Sequence, residues 1–195
     1  MSLAAIVLAG GQSSRMGQDK ALIPVQGVPL LRHVCDVAAE CTNEIYVVTP
    51  WPQRYRELLP NSCRFVQERP LHQDIHPQGP LVGFAQGLAQ VQTDWVLLLA
   101  CDLPRLRGEV LQGWAQQLDT VPELAIAFVP YHAQGWDPLC GFYRRSCLPL
   151  LNAFISRGGR SFQRWLDHNE VQAIPDADKR MLFNCNTPND LAALN

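Results

Sequence analysis

Uninterrupted apolar runs at Ala4 to Ala9, Ile45 to Thr49 and Trp95 to Ala100 predict strands buried on both faces, because a strand with one wet face alternates instead. "CRFVQ" at 63–67 predicts a shorter one. Between the first two runs, "PLLRHVCDVAAEC" sets Leu31, Val34, Cys35, Ala38 and Ala39 on one helical face, with Pro29 suited to the first helical position. "GPLVGFAQGLAQV" and "RGEVLQGWAQQL" predict two more helices. Such strands, separated by such helices, define an α/β chain whose mostly parallel sheet is covered by helices.

The second half of the chain predicts strands near Leu124 to Pro130 and Leu139 to Tyr143, then helices near Cys147 to Ser156 and Ser161 to Asn169. "TPNDLAAL" predicts a closing helix with Thr187 as N-cap, Pro188 at N1 and Asp190 at N3. Pro-containing loops at 50–52, 68–80 and 130–138 are candidate walls of a site, since the connections after parallel strands gather at one sheet edge.

The first strand runs straight into "GGQSSRMGQDK". Gly10 and Gly11 let the backbone turn sharply and bring its N–H groups close to an anion. Arg15 adds a planar fork for phosphate oxygens and Lys20 a compact mobile charge. The stretch is neither G-x-x-x-x-G-K-[ST], since Gln18 follows Gly17, nor G-x-G-x-x-G. Further on, "LLLACDLPRL" puts Asp102 just past a buried strand, where one hard oxygen ligand suits Mg²⁺ on a nucleotide; an N-cap for the following turn is the alternative.

Composition narrows the partners. The 195 residues, 47% hydrophobic and 17% charged, predict one folded domain over 1–195. A net charge of −2 without a basic stripe argues against an extended nucleic-acid surface. The seven cysteines include no C-x-x-C pair and read as reduced thiols of a cytoplasmic protein. No apolar run is long enough to span a bilayer. His72 and His76 are four apart, but Pro70, Pro77 and Pro80 oppose the helix that would pair them on a metal. The tryptophans read as core or interface residues, although Trp136 lies in a loop that could meet a flat ring.

"LAGGQSSRMGQDKAL" resembles the L-A-G-G-x-(S/A)-x-R-M-G-x-D-K signature of nucleotidyltransferases, in particular the molybdenum cofactor guanylyltransferase family. The resemblance implies a Rossmann-like three-layer sandwich. It also implies that GMP passes from GTP to the molybdopterin cofactor with release of pyrophosphate. It sets Leu8, Ala9 and Gly10 against the nucleotide and gives Lys20 to GTP. "CDLP" is similar to the family's C-D-x-P segment, which makes Asp102 the metal-binding aspartate. "GPLVG" at 79–83 and "NCNTPNDL" at 184–191 resemble segments beside the guanine and near the pterin, the latter offering Asn184 and Asn186 as substrate-side amides. Two positions depart from the pattern: Thr49 stands where the family has asparagine, and its acidic residue after the third strand is Glu68 here. Catalysis is expected from Arg15, Lys20 and Mg²⁺ on Asp102, with transient contact to proteins that deliver or receive the cofactor. The alternatives are a relative using CTP on molybdopterin or on a sugar or alcohol phosphate, and a regulator that binds nucleotide without chemistry.

Overall fold

The structure is a computed structural model that describes residues 2–11, 17–71 and 79–192. Arg15, His72 and His76 lie outside the described residues. The strands are β1 (Leu3–Leu8), β2 (Pro24–Val25), β3 (Val28–Pro29), β4 (Ile45–Thr49), β5 (Cys63–Gln67), β6 (Trp95–Ala100), β7 (Ala127–His132), β8 (Gly135–Trp136), β9 (Cys140–Arg144) and β10 (Val171–Ile174). The helices are α1 (Leu30–Ala39), α2 (Pro52–Tyr55), α3 (Pro80–Leu88), α4 (Gly108–Ala115), α5 (Leu148–Ser156), α6 (Phe162–Asp167) and α7 (Pro188–Ala192).

The main sheet has the order β10-β7-β9-β6-β1-β4-β5, with β8 added to β7. All neighbours along β6-β1-β4-β5 are parallel, as is β10 with β7, whereas β9 runs antiparallel to both β6 and β7. The chain leaves β1 through α1 to β4 on one side, then returns through α3 to β6 on the other. Crossovers of one hand that run in opposite directions put their helices on opposite faces. Accordingly Leu31, Val34 and Ala38 of α1 pack with Ala5, Val7, Leu97 and Leu99, while Leu81, Phe84 and Leu88 of α3 pack with Ala4, Ile6, Val96 and Leu98. The alternation within β1 and β6 serves two apolar layers, which is why neither strand alternates in polarity.

Three expectations need correction. Pro29 does not begin α1; it closes β3, pairs with Pro24, and caps the helix with ψ 138°. Its partner is a two-residue hairpin in which Gln26 and Gly27 both take positive φ, 51° and 81°, the mirror-image turn that such hairpins use. The strand expected at Leu124 to Pro130 begins at Ala127, since Ala125 N–H closes a turn on the Pro122 carbonyl and Leu124 is exposed. The expected loop at 130–138 is largely hairpin, Tyr131 pairing with Trp136 and His132 with Gly135. By contrast the last helix follows its capping signal: Asp190 N–H donates to Thr187 Oγ1 at 3.2 Å, and Asp190 Oδ2 accepts from Thr187 N–H at 2.7 Å.

The packing of α3 predicts opposite outcomes for one substitution at two helical glycines. A Cβ at Gly87 would lie 2.7 Å from Val48 Cγ2 and 3.2 Å from Ile6, both stiff β-branched side chains in the sheet. A Cβ at Gly113 of α4 would meet nothing within 4 Å. Gly87→Ala is expected to destabilise by about 1–2 kcal/mol once the helix gain is subtracted from the overpacking cost. Gly113→Ala is expected to stabilise by roughly 0.5–1 kcal/mol. Urea unfolding of both variants checks the pair, and equal signs would refute the packing account.

Candidate active site

The carboxyl ends of β1, β4, β5 and β6 lie at one sheet edge, because the four strands are parallel with Leu8 opposite both Val48 and Ala100. Strand order reverses at β1, so the crevice beyond β1 and β6 is where a ligand of such a sheet binds. Backbone bonds close this edge: Ala9 N–H donates to the Val48 carbonyl, Cys101 N–H to Leu8 and Glu68 N–H to Thr49. Leu8, Ala9, Gly10, Glu68 and Asp102 therefore meet around one crevice.

Lys20 opens a short 3₁₀ turn, Lys20–Leu22. Its Nζ lies 3.3 Å from Asp102 Oδ2 and donates to Asn186 Oδ1 at 2.5 Å. Asn186 N–H is in turn held by Asp190 Oδ2 at 2.8 Å, and the Asp102 carbonyl accepts from Cys185 N–H. The C-terminal cap thus brings Asn186 to the lysine and the aspartate. Asn184 is exposed and makes no bond to either.

Burial raises the Asp102 carboxyl above its usual range, and the Lys20 ammonium opposes that without reversing it. A desolvated carboxylate only partly compensated by a lysine gains from a further cation. Among the described residues no group of three or more His, Cys, Asp or Glu forms a cage. One carboxylate completed by nucleotide phosphates and water fits a hard divalent ion.

Glu68 packs against Gly10 and Gly83. A Cβ at Gly10 would overlap Glu68 Oε2, so the glycine leaves room for the carboxylate where it stands, whereas one at Gly83 would make only ordinary contact with it at 3.4 Å. Gly11 has no such neighbour, and among the glycines of the loop Gly17 takes the left-handed conformation, at φ 65°. Thr49 is buried, and its hydroxyl accepts from Trp51 N–H at 3.2 Å, closing the turn after β4. Trp136 is pinned by Nε1–H donation to Asp167 at 3.0 Å and packs edge-on against Tyr131. Asp19, the aspartate of the signature just before the lysine, had no role assigned from the sequence, and the buried Tyr55 had no signal there.

Burial also raises the Glu68 carboxyl. The folded protein then holds that proton more tightly than the unfolded chain, so stability is lost as pH rises from the ordinary carboxylate value through the raised one. Glu68→Gln is expected to melt no lower than the parent near pH 7, with its advantage shrinking as pH falls toward about 4. Thermal melts across that range check it, and a lower Tm at neutral pH would refute it.

A crevice holding a lysine and an aspartate at the switch point of a parallel sheet is where a ligand of such a fold binds, and the family match makes it the candidate site of a nucleotidyltransferase. Residues 5–172 match the family described as MobA-like NTP transferase domain, and the chain belongs to it. It is 63% identical over 193 residues to a probable molybdenum cofactor guanylyltransferase of a Nostoc species, covering 99% of this chain and 90% of that one. It is 32% identical to a molybdenum cofactor guanylyltransferase of Vibrio cholerae, covering 96% and 88%. The fold is similar to that of molybdopterin-guanine dinucleotide biosynthesis protein A from Archaeoglobus fulgidus, with TM-score 0.78, 23% identity, and coverage of 98% and 96%. Nucleotidyltransferases of this family generally use a divalent metal. Among the described residues no helix is long and apolar enough to cross a membrane.

Proposed function

We propose that this chain, acting as one domain in the cytoplasm, transfers GMP from GTP to the molybdopterin cofactor and releases pyrophosphate. The observation that carries the reaction is Lys20 Nζ 3.3 Å from Asp102 at the β1–β6 crevice. The choice of substrates is supported by relatives named molybdenum cofactor guanylyltransferase.

An acceptor phosphate oxygen attacks the α-phosphorus, an O–P bond forms, and the bond to the bridging oxygen breaks in line. The attacking oxygen is already anionic, so no protein base or nucleophile is needed. The work left to the chain is positioning and charge neutralisation. Lys20 binds phosphate oxygens, and Arg15, outside the described residues, is assigned the charge that grows on them. Asp102 would hold a Mg²⁺ ion, which supplies Lewis-acid neutralisation of the phosphates. Backbone groups of Leu8 to Gly10 and the Glu68 carboxylate face the base, an ionised carboxylate accepting from the guanine N1–H and amine. Thr49, whose hydroxyl accepts from Trp51 N–H in its own turn, lacks the paired donor and acceptor that an asparagine amide would offer the base.

Pyrophosphate release by the purified protein, with Mg²⁺, each of the four NTPs and molybdopterin, tests this reading. GTP is expected to give the highest kcat/KM. A higher value with CTP would replace the guanylyl assignment by a cytidylyl one, and GTP binding without pyrophosphate release would make the chain a regulator.

A further inference from the structure

Asp19 lies in the loop after β1 and Tyr55 in α2, beyond β4, and neither takes part in the chemistry above. Asp19 is the N-cap of the turn that carries Lys20: its Oδ1 accepts from Ala21 N–H at 3.1 Å, and its carbonyl accepts from Leu22 N–H at 3.1 Å. Its other oxygen, Oδ2, accepts from the Tyr55 hydroxyl at 2.7 Å. Tyr55 ends α2, the helix after β4, and is 1% exposed, with its ring in the same apolar layer as Ala21. Arg54 of the same helix approaches Oδ2 to 3.8 Å and stacks over Trp51 at 4.3 Å.

We propose that Asp19 and Tyr55 are positioning residues for Lys20, Asp19 by closing the turn from which the lysine projects and Tyr55 by fixing Asp19 to the neighbouring loop. The proposal rests on the reading of Lys20 as a GTP contact. A lysine on a four-carbon stem finds a phosphate by the direction of its backbone as much as by its charge. Here that direction is set by a three-residue turn, and a turn this short is held by its cap rather than by its own length. The cap is in turn held by a buried phenol, whose burial and proximity to Asp19 keep it protonated and therefore a donor. A carboxylate with one oxygen on the turn and the other on a core residue cannot rotate away from either. The link therefore joins the loop after β1 to the loop after β4.

Tyr55→Phe keeps the buried ring and removes the donor. Steady-state kinetics are expected to show KM for GTP raised roughly fivefold with kcat changed less than about twofold. The double variant Tyr55→Phe/Lys20→Ala is expected to have the KM of Lys20→Ala alone, because a residue that acts through the lysine has nothing to position once it is gone. Asp19→Asn, which retains an oxygen for Ala21 N–H, is expected to stay nearer the parent KM than Asp19→Ala, and this comparison decides the matter if Tyr55→Phe fails to fold. A purely structural link would lower Tm and leave KM where it was, or would give KM changes that multiply in the double variant; either result overturns the proposal. If Lys20→Ala raises KM and Tyr55→Phe does not, the positioning role alone falls. If Lys20→Ala leaves KM unchanged, the assignment of Lys20 to GTP falls and takes this proposal with it.

Discussion

Asp102→Asn is expected to leave a folded protein that turns over at least about a hundredfold more slowly with Mg²⁺, corresponding to a loss of roughly 3–4 kcal/mol of transition-state stabilisation. The substitution is nearly isosteric, and the backbone bond from Cys185 N–H to the Asp102 carbonyl does not depend on the side chain. What changes is charge. An amide is a poor ligand for a hard cation, and Lys20 loses the carboxylate 3.3 Å away. Because burial already works against the charged form of Asp102, the neutral residue is expected to melt at or above the parent temperature. Turnover near that of the parent would remove Asp102 from the metal site, whereas a collapsed Tm would show it to be structural.

Lys20→Ala is expected to raise KM for GTP about tenfold to a hundredfold, the range for losing a charge-assisted bond to a phosphate. Arg15→Ala, by contrast, is expected to lower kcat more than it raises KM, since a contact made mainly in the transition state appears in turnover. The lysine variant also frees Asn186 Oδ1 and Asp102 Oδ2 together, so part of its effect comes from a rearranged C-terminal segment. Asn186→Ala separates that part: it removes the 2.5 Å partner while leaving the charge, and its KM should rise by less than that of Lys20→Ala. Measuring both constants for all three variants is decisive. Values within about twofold of the parent for Lys20→Ala would mean that the lysine is not a phosphate contact.

The strands β4 and β6 have the bounds that their apolar runs predict, β5 has those of its short segment, and α1, α3 and α4 lie within their predicted segments. A residue buried on both sides of a sheet leaves no freedom in composition, so the signal is local and strong. The second half of the sheet was less legible. The short pair β7–β8 and the edge strand β10 carry mixed polar and apolar residues, as in "VQAI", and their pairing depends on partners far along the chain. The antiparallel direction of β9 has no local signature, since a buried strand reads alike in either direction.

The same division runs through the site. Residue types at short spacing within one segment were enough to place the parallel strands and the acidic residue after β6. Which of these meet depends on the packing of distant segments. Asn186 reaches Lys20 across 166 positions through the cap on α7, and Tyr55 reaches Asp19 across 36 through a buried hydroxyl. Gly10 leaves room for the carboxylate of Glu68, on a loop two strands away, and has no positive φ of its own. Contacts of this kind depend on strand order and on the register that brings Leu8 level with Val48 and Ala100, and neither is encoded in the residues that touch.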